Sequence, residues 1–307
     1  MPITALGLTT GDFANRLQDL PACLDRFEAL GADYAELSLG AFDVIADCRI
    51  LPERLRELKR ICADRPLGYT LHGPLVGRFT SRRQLQAQID VCRAALDLCG
   101  EIGATAQVHH GGSGPLDDRM ERDRVFALER ETLAALGPHA ADCGVLLCVE
   151  NLYGDEAYFM SPAELAAQIE AVDHPNIRAT VDFSHAALNA GARGFDLMAE
   201  LAILAPLAGH LHIHDSFGKP RSFKTYTYGE GVNFGMGDLH LPPGWGGLDW
   251  EAIAALDYRA DVVANLELSM RFESALPEAV ARCREMIEIS REAASRDRRD
   301  ASAAHSV

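Results

Sequence analysis

Three histidines alternate with apolar residues in the segment GHLHIHDSFG, residues 209–218. Because alternate residues of a β-strand point to the same face, the spacing predicts that His210, His212 and His214 share one face of a short strand. Imidazole nitrogen is a frequent ligand of divalent transition-metal ions. The segment therefore predicts part of a metal site, whose other ligands must come from elsewhere in the chain.

Further histidines and carboxylates stand at the ends of other short apolar segments with strand character. Together with the histidine ladder, these positions give six candidate ligands: His72, His109, Glu150, Asp182, His212 and Glu267. Two motifs add three more, because DFSH places His185 three residues after Asp182, and GDLH contains Asp238 and His240. Nine such groups would suit two or three divalent ions, and a subset would suffice for one, with Zn²⁺, Mn²⁺ and Fe²⁺ as candidates. A buried cluster of carboxylates would be costly without these cations.

Strand alternation predicts which of the candidates point inward. On the fourth strand His109 is predicted to face inward, so the adjacent His110 should face outward or toward the loop and is left out of the set. On the histidine ladder, only the layer level with the other strand ends can reach a shared ion, and we assign that layer to His212. His214, one layer further out, is predicted to contact substrate, whereas His210 is interpreted as a hydrogen-bonded core residue. Any one of these residues alone could be structural, so the prediction depends on the whole set.

The elements that must position these residues alternate along the chain. Strands are predicted at residues 3–8, 34–39, 67–72, 105–110, 145–151, 177–183, 209–215 and 261–269. Helices are predicted at 14–30, 52–64, 82–101, 118–142, 161–172, 195–205 and 275–293, the fifth with a capping box from Ser161 to Glu164. Eight β-then-α units predict an α/β protein that forms a single (β/α)₈ TIM barrel, with its active site at the C-terminal ends of the strands. We assign residues 1–293 to the barrel and 294–307 to a disordered tail.

Composition limits the classes of function. The chain has 307 residues and a formal net charge of −16, which disfavours a nucleic-acid partner and an anionic membrane surface. No apolar stretch reaches the roughly 18 residues of a membrane span, and the N-terminal segment MPITALGLTT lacks the pattern of a signal peptide. Eight cysteines without CxxC spacing are expected to be reduced core thiols in a cytoplasmic protein. Composition does not distinguish a monomer from a homo-oligomer.

Seven motifs follow one another between residues 71 and 269: LHGPL, VHHGG, VENL, VDFSHAALNAG, HIHDS, GDLHLPPGWG and NLELS. Together they resemble the xylose isomerase-like TIM barrels, a group that includes sugar (phosphate) isomerases and epimerases and the endonuclease IV family of apurinic-site endonucleases. The resemblance implies that Glu150, Asp182, His212 and Glu267 form the single-metal site of the sugar epimerases. All nine candidate ligands match the three-zinc pattern of the endonuclease branch.

Three features favour the isomerase branch. Glu36 in AELSLG resembles a strand-two glutamate common among the isomerases, and HLPPGWGGLDW resembles a loop frequent in sugar phosphate isomerases. The segment GPLVGRF lacks the aromatic residue with which the DNA-cleaving branch probes the duplex. We therefore predict a metal-dependent sugar (phosphate) isomerase or epimerase, in which Glu150 and Glu267 transfer a proton α to a carbonyl. The alternatives are a multi-zinc phosphoester hydrolase and, third, a barrel that only binds a ligand.

The connection at residues 215–248 is unusually long and rich in glycine, proline and aromatic residues, which is typical of a functional loop. It carries cationic residues that could hold a phosphate and aromatic residues that could stack on a sugar. The predicted partner is accordingly a small sugar or sugar phosphate. Its candidate binding residues are Glu36, His214, Lys219, Arg221 and Trp245.

Overall fold

The structure is a computed structural model that describes residues 2–80, 82–111, 122–154, 160–259 and 262–304. Eight parallel strands form a closed barrel in which each strand pairs with its neighbours in the sequence, and β8 pairs with β1. The strands are β1 (Ala5–Thr9), β2 (Tyr34–Ser38), β3 (Gly68–His72), β4 (Ala104–His110), β5 (Leu146–Glu150), β6 (Ile177–Asp182), β7 (Ala208–Ile213) and β8 (Val263–Leu266). The predicted single (β/α)₈ TIM barrel is confirmed.

Helices surround the barrel. They are α1 (Leu20–Ala29), α2 (Pro52–Cys62), α3 (Leu85–Ile102), α4 (Arg122–Asp142), α5 (Pro162–Val172), α6 (Phe183–Arg193), α7 (Leu197–Leu204), α8 (Tyr228–Phe234), α9 (Trp250–Ala254) and α10 (Leu276–Ala304). Short 3₁₀ turns lie at Gly11–Phe13, Leu39–Ala41, Ala205–Leu207 and Met270–Ala275, and a small hairpin pairs Ile45–Ala46 with Arg49–Ile50. Within the described ranges, no helix combines the length and apolar character needed to cross a bilayer.

The strands are buried on both faces, as expected for a parallel sheet enclosed by helices. Leu147 and Val149 of β5 belong to the apolar core between sheet and helices, whereas Glu150 faces the barrel interior. Every residue of β7 is buried. Two-sided burial explains why these strands are apolar runs rather than alternating patterns. All eight cysteines are free thiols.

The capping box of α5 is present as predicted. The Ser161 hydroxyl accepts a hydrogen bond from the Glu164 amide at 3.4 Å, and the Glu164 carboxylate accepts one from the Ser161 amide at 2.8 Å. These two bonds satisfy donors that the first turn of a helix otherwise leaves unpaired. The local sequence therefore defines where α5 begins.

Several helical segments differ from the predictions: α1 begins at Leu20 rather than at residue 14, and α8 and α9 lie where no helix was predicted. No helix was predicted directly after Asp182, but α6 begins there, and the Asp182 carboxylate caps it by accepting from the His185 amide at 2.7 Å. Helix α10 continues to Ala304, through most of the segment 294–307 that was predicted to be disordered. Its composition of alanine, arginine and acidic residues suits an exposed helix as well as a disordered tail. Residues 305–307 lie outside the described part of the chain.

Candidate metal centre

Four ligand candidates from the last four strands meet at one place, where three carboxylates approach the Nδ1 atom of His212. A Glu150 oxygen lies 3.3 Å from it, a Glu267 oxygen 3.4 Å and an Asp182 oxygen 3.9 Å. Glu150 ends β5, Asp182 ends β6, His212 belongs to β7, and Glu267 follows β8. Because the strands are parallel, their C-terminal ends meet at one mouth of the barrel, and residues far apart in the sequence become neighbours.

A buried carboxylate beneath this group fixes the orientation of His212. The Oε2 atom of Glu36 lies 3.3 Å from His212 Nε2 and 2.7 Å from His210 Nε2, and its Oε1 atom accepts from the Asn265 amide at 3.0 Å. When His212 donates from Nε2, its Nδ1 lone pair points toward the neighbouring carboxylates. His210 is thus hydrogen-bonded in the core, as predicted.

The predicted role of Glu36 in substrate binding is not supported by this position. Glu36 is fully buried, and its carboxylate oxygens contact His210, His212 and Asn265. The residue lies on β2 at a deeper level than the strand ends that carry the ligand candidates. The structure therefore shows Glu36 in contact with His212 beneath the ligand candidates, and not on the wall of either cavity described below.

A second group of ligand candidates gathers around Asp238 in the long loop. His185 Nε2 lies 3.3 Å and His240 Nε2 3.0 Å from the Asp238 carboxylate, and His214 Nδ1 lies 3.6 Å from it. His214 also approaches Asp182 at 2.9 Å through its Nε2. The structure therefore places His214 among the ligand candidates, whereas the sequence predicted it as a substrate contact.

A third group contains His72, Glu150 and His110. The Nε2 atoms of His72 and His110 lie 3.7 and 3.3 Å from the Glu150 Oε2 atom. The structure does not bring the predicted ligand His109 into this group, and the adjacent His110 lies there instead. His109 instead stacks on Phe79 with ring centroids 4.2 Å apart, and burial lowers its pKa to about 3.

His110 rather than His109 joins the ligand group because the residues of β4 that face inward are the alternate set to the one predicted. His109 was predicted to face inward, and Gln107, two residues earlier, must then share its face; but the Gln107 amide donates to the Cys92 thiol of α3, outside the barrel. Residues of β4 are buried on both faces, so apolar character does not reveal which set points inward.

The histidines of these groups are held with one nitrogen free for a ligand bond. In His72, His110, His185 and His240, the Nδ1 atom lies 2.9, 2.8, 3.1 and 3.0 Å from a backbone carbonyl oxygen. A hydrogen bond donated from Nδ1 leaves the Nε2 lone pair for a metal ion, which is the usual arrangement of metal-binding histidines. Within the described residues, Glu150 Oε2, Asp238 Oδ1 and His214 Nδ1 are buried without a hydrogen-bond partner. These residues therefore fit divalent ions.

Charge in the cluster is balanced between carboxylates and imidazoles. Burial alone would raise the pKa of Glu150 and of Asp238, but neighbouring histidines hold both well below their ordinary values. Burial would lower the pKa of His72 and of His240, yet the adjacent carboxylates raise them to about 9 and about 10. Protons on these imidazoles and divalent ions would therefore compete for the same carboxylates.

Two connected cavities open onto these groups. The smaller has a volume of about 400 Å³, and its wall includes Glu150, Glu267, Tyr153 and Arg78. The larger, of about 880 Å³, shares His72, Leu75, His240 and Glu267 with the first and extends to Thr9, Ser38, Tyr228 and Arg271. The sequence had predicted no role for Tyr153, Arg78 or Arg271, although Arg78 belongs to the segment GPLVGRF that was compared with the DNA-cleaving branch.

Two of the three predicted substrate-binding residues in the long loop lie away from the cavities. Lys219 is exposed with its ammonium group 5.7 Å from the centre of the Phe217 ring, and Trp245 donates from its indole to Glu278 at 3.3 Å. Neither lines the two cavities, so those two predictions are not supported. Arg221 lies closer to the second ligand group. Its guanidinium is next to Gly237, where an added Cβ atom would lie 3.4 Å from it, and Gly237 directly precedes Asp238.

The long loop is anchored by a buried aspartate. The Asp215 carboxylate accepts hydrogen bonds from the Gly244 amide at 2.8 Å, the Trp250 indole at 2.9 Å and the Leu248 amide at 3.3 Å. The backbone of Asp215 also pairs with Leu241. This connection holds the loop over the barrel mouth and places Asp238 and His240 beside the strand ends.

Comparison with known proteins agrees with this architecture. The fold is similar to a D-tagatose 3-epimerase-like protein (TM-score 0.68, 16% identity, covering 94% of this chain and 99% of the other). It is also similar to the 3-keto-D-glucoside 4-epimerase YcjR from E. coli (TM-score 0.66, 18% identity, 92% and 99%) and to an IolI protein with a bound zinc atom (TM-score 0.65, 16% identity, 95% and 96%). A family model described as xylose isomerase-like TIM barrel matches residues 24–259. The chain therefore belongs to the xylose isomerase-like TIM barrel family.

Proposed function

We propose that this protein is a divalent-metal-dependent isomerase or epimerase that acts on a small sugar or sugar phosphate. The observation that supports this most is the convergence of Glu150, Asp182 and Glu267 on His212 Nδ1, beside a cavity of about 400 Å³. The similar solved structures include a 3-keto-D-glucoside 4-epimerase and a D-tagatose 3-epimerase-like protein. Their similarity in fold supports the proposal.

Glu150, Asp182, His212 and Glu267 would hold one ion, with Glu36 orienting the imidazole from below. A divalent ion bound there would polarise the substrate carbonyl and stabilise the negative charge that develops when the neighbouring carbon loses its proton. One ion is the minimum, and the further groups around Asp238 and His72 would hold a second and a third.

Glu150 and Glu267 are the proposed acid and base. Each has an oxygen within 3.4 Å of the same His212 nitrogen, but they come from different strands and line the same cavity. A substrate carbon in that cavity can therefore be approached by two carboxylates from different directions. One carboxylate removes the proton α to the carbonyl. Return of a proton to the opposite face of the same carbon by the other carboxylate inverts the stereocentre, whereas its return to the former carbonyl carbon, with transfer of the hydroxyl proton to the other oxygen, moves the carbonyl.

Hydrolysis of a phosphoester is a second candidate function. It is favoured by the groups His72–His110–Glu150 and His185–Asp238–His240, which adjoin the first group and share Glu150 with it or approach its Asp182. Several ions held side by side by bridging carboxylates are typical of phosphoester hydrolases. A single-ion epimerase does not need these additional ligands.

Two assays on the purified protein, with its metal content measured by elemental analysis, test the proposal. Ketoses are incubated in D₂O, and NMR follows deuterium entering the carbon next to the carbonyl together with formation of the epimer. Deuterium incorporation that is lost in Glu150→Gln supports the isomerase or epimerase. Cleavage of a phosphodiester without ketose turnover would support the hydrolase instead, and metal binding without either activity would contradict both.

A further inference from the structure

We infer that Arg78 binds an oxyanion of the substrate, so that the molecule turned over carries a phosphate or carboxylate group. This inference rests on the proposed function and narrows its substrate class. Arg78 lies between β3 and α3 and lines the smaller cavity. Both possible groups share one chemistry, a planar or tetrahedral set of oxygens that accepts two hydrogen bonds from a guanidinium.

The backbone that carries Arg78 is tied to the metal centre. His110, which contacts Glu150 through Nε2, lies 2.8 Å from the Leu75 carbonyl through Nδ1. The amide of Arg78 itself donates to the Gln88 side chain of α3 at 3.3 Å. The segment is thus positioned by the same histidine that completes the third ligand group.

Packing beneath the segment fixes it from the other side. Phe79 is fully buried and stacks on His109 at an angle of 16° between the rings. A side chain at Gly77 would meet the Pro74 carbonyl at 2.9 Å, so only glycine permits this close turn. The stacking on Phe79 gives His109 a structural role, since His109 then supports the segment that presents Arg78 to the cavity.

The guanidinium of Arg78 has no partner in the part of the chain that the structure describes. Its Nε atom is buried without a hydrogen-bond acceptor, and no carboxylate oxygen lies within the 4.0 Å of an ion pair. Buried hydrogen-bond donors normally have acceptors. A guanidinium carries five N–H donors in a fixed planar fork. Carboxylates do line the same cavity, but they face the imidazoles rather than Arg78.

A ligand oxyanion is the group that this arrangement lacks. The cavity volume of about 400 Å³ suits a small molecule, and its wall includes Arg78 together with the carboxylates and histidines. An uncharged sugar would leave the buried Nε–H without a strong acceptor. A phosphate or carboxylate would accept from it and would neutralise the cation.

The test compares Arg78→Met with Arg83→Met, which removes an exposed arginine from the turn before α3 and serves as the matched control. Each variant, with its bound metal, is assayed on a neutral ketopentose, on its phosphate monoester and on a keto acid of equal length. We expect kcat/KM of Arg78→Met to fall about 10- to 100-fold on one anionic substrate and to stay within about twofold on the neutral one. The substrate that loses rate identifies the anion as phosphate or carboxylate. An equal change on all three substrates would overturn the inference.

A calorimetric titration with inorganic phosphate measures the affinity for an oxyanion directly, and so separates this inference from the proposed function. If none of the sugars is turned over, the proposed function fails, but phosphate affinity must still fall about tenfold or more in Arg78→Met and not in Arg83→Met. Arg78→Lys should retain part of the affinity, because it keeps the charge and loses the fork. Equal phosphate affinity in Arg78→Met and the unmodified protein would refute the role of Arg78.

Discussion

Replacing Glu36 by glutamine should weaken metal binding at His212 without changing any direct ligand. The Glu36 Oε2 atom accepts from both His210 and His212, at 2.7 and 3.3 Å, and Oε1 accepts from Asn265 at 3.0 Å. Glutamine has the same shape but is neutral and has only one acceptor oxygen. Its least costly orientation keeps the oxygen toward the two histidines, so the shape is retained and the carboxylate charge is lost.

The expected magnitude follows from the role of that charge. Burial would raise the pKa of Glu36, but His212 and His210 hold it below its ordinary value, so the group is a carboxylate at neutral pH. A carboxylate that accepts from a ligating imidazole raises the basicity of the ring and fixes its orientation. Loss of such a partner weakens metal affinity about 10- to 100-fold, or about 1.4 to 2.8 kcal/mol.

The assay is competition for Zn²⁺ with a chromophoric chelator, applied to the unmodified protein, to Glu36→Gln and to Glu131→Gln. Glu131 is exposed on α4, so its variant makes the same charge change away from the site. We expect one class of sites to weaken in Glu36→Gln only. Affinity within about twofold of the unmodified protein would show that Glu36 does not orient His212, and equal weakening in Glu131→Gln would assign the effect to net charge.

Three further predictions concern the mouth of the barrel. Glu150→Gln should lower turnover by about 10²- to 10⁴-fold, and activity that survives with metal still bound, as measured by elemental analysis, would contradict its role as acid or base. His110→Ala should reduce the metal content whereas His109→Ala should not, because only His110 contacts Glu150; the opposite result in elemental analysis would restore the original prediction. Asp215→Asn should lower the free energy of unfolding by about 2–3 kcal/mol in urea titrations, since buried donors lose a charged acceptor. The exposed Asp64→Asn should change it by less than about 0.5 kcal/mol, and equal losses would refute the anchoring role.

Much of the fold followed from periodicity. Eight apolar segments separated by amphipathic ones are typical of strands enclosed by helices, and the predicted strands agree with the observed ones apart from a few terminal residues. Helix α6 was missed because Asp182 and His185 were interpreted only as ligand candidates. The Asp182 carboxylate is both a ligand candidate and the cap at which α6 begins. The helical end of α10 was missed because its polar composition fits an exposed helix and a disordered tail equally well.

The set of ligand candidates was also largely predictable, because a parallel barrel brings the C-terminal ends of its strands together whatever their distance in the sequence. Glu150, Asp182, His212 and Glu267 were identified by type and position alone, and the structure brings them to one point. Such residues are informative in a sequence because polar groups interrupt strands that are otherwise apolar.

What the sequence by itself determined is therefore the barrel and the kinds of side chain at its mouth. Only the tertiary structure decided between His109 and His110, placed Glu36 beneath the site and brought Arg78 to the cavity. The physical reason is that a strand buried on both faces carries no signal of which face is inner. The direction of a loop side chain depends likewise on packing partners such as Phe79 and on contacts from distant segments, which no local pattern encodes.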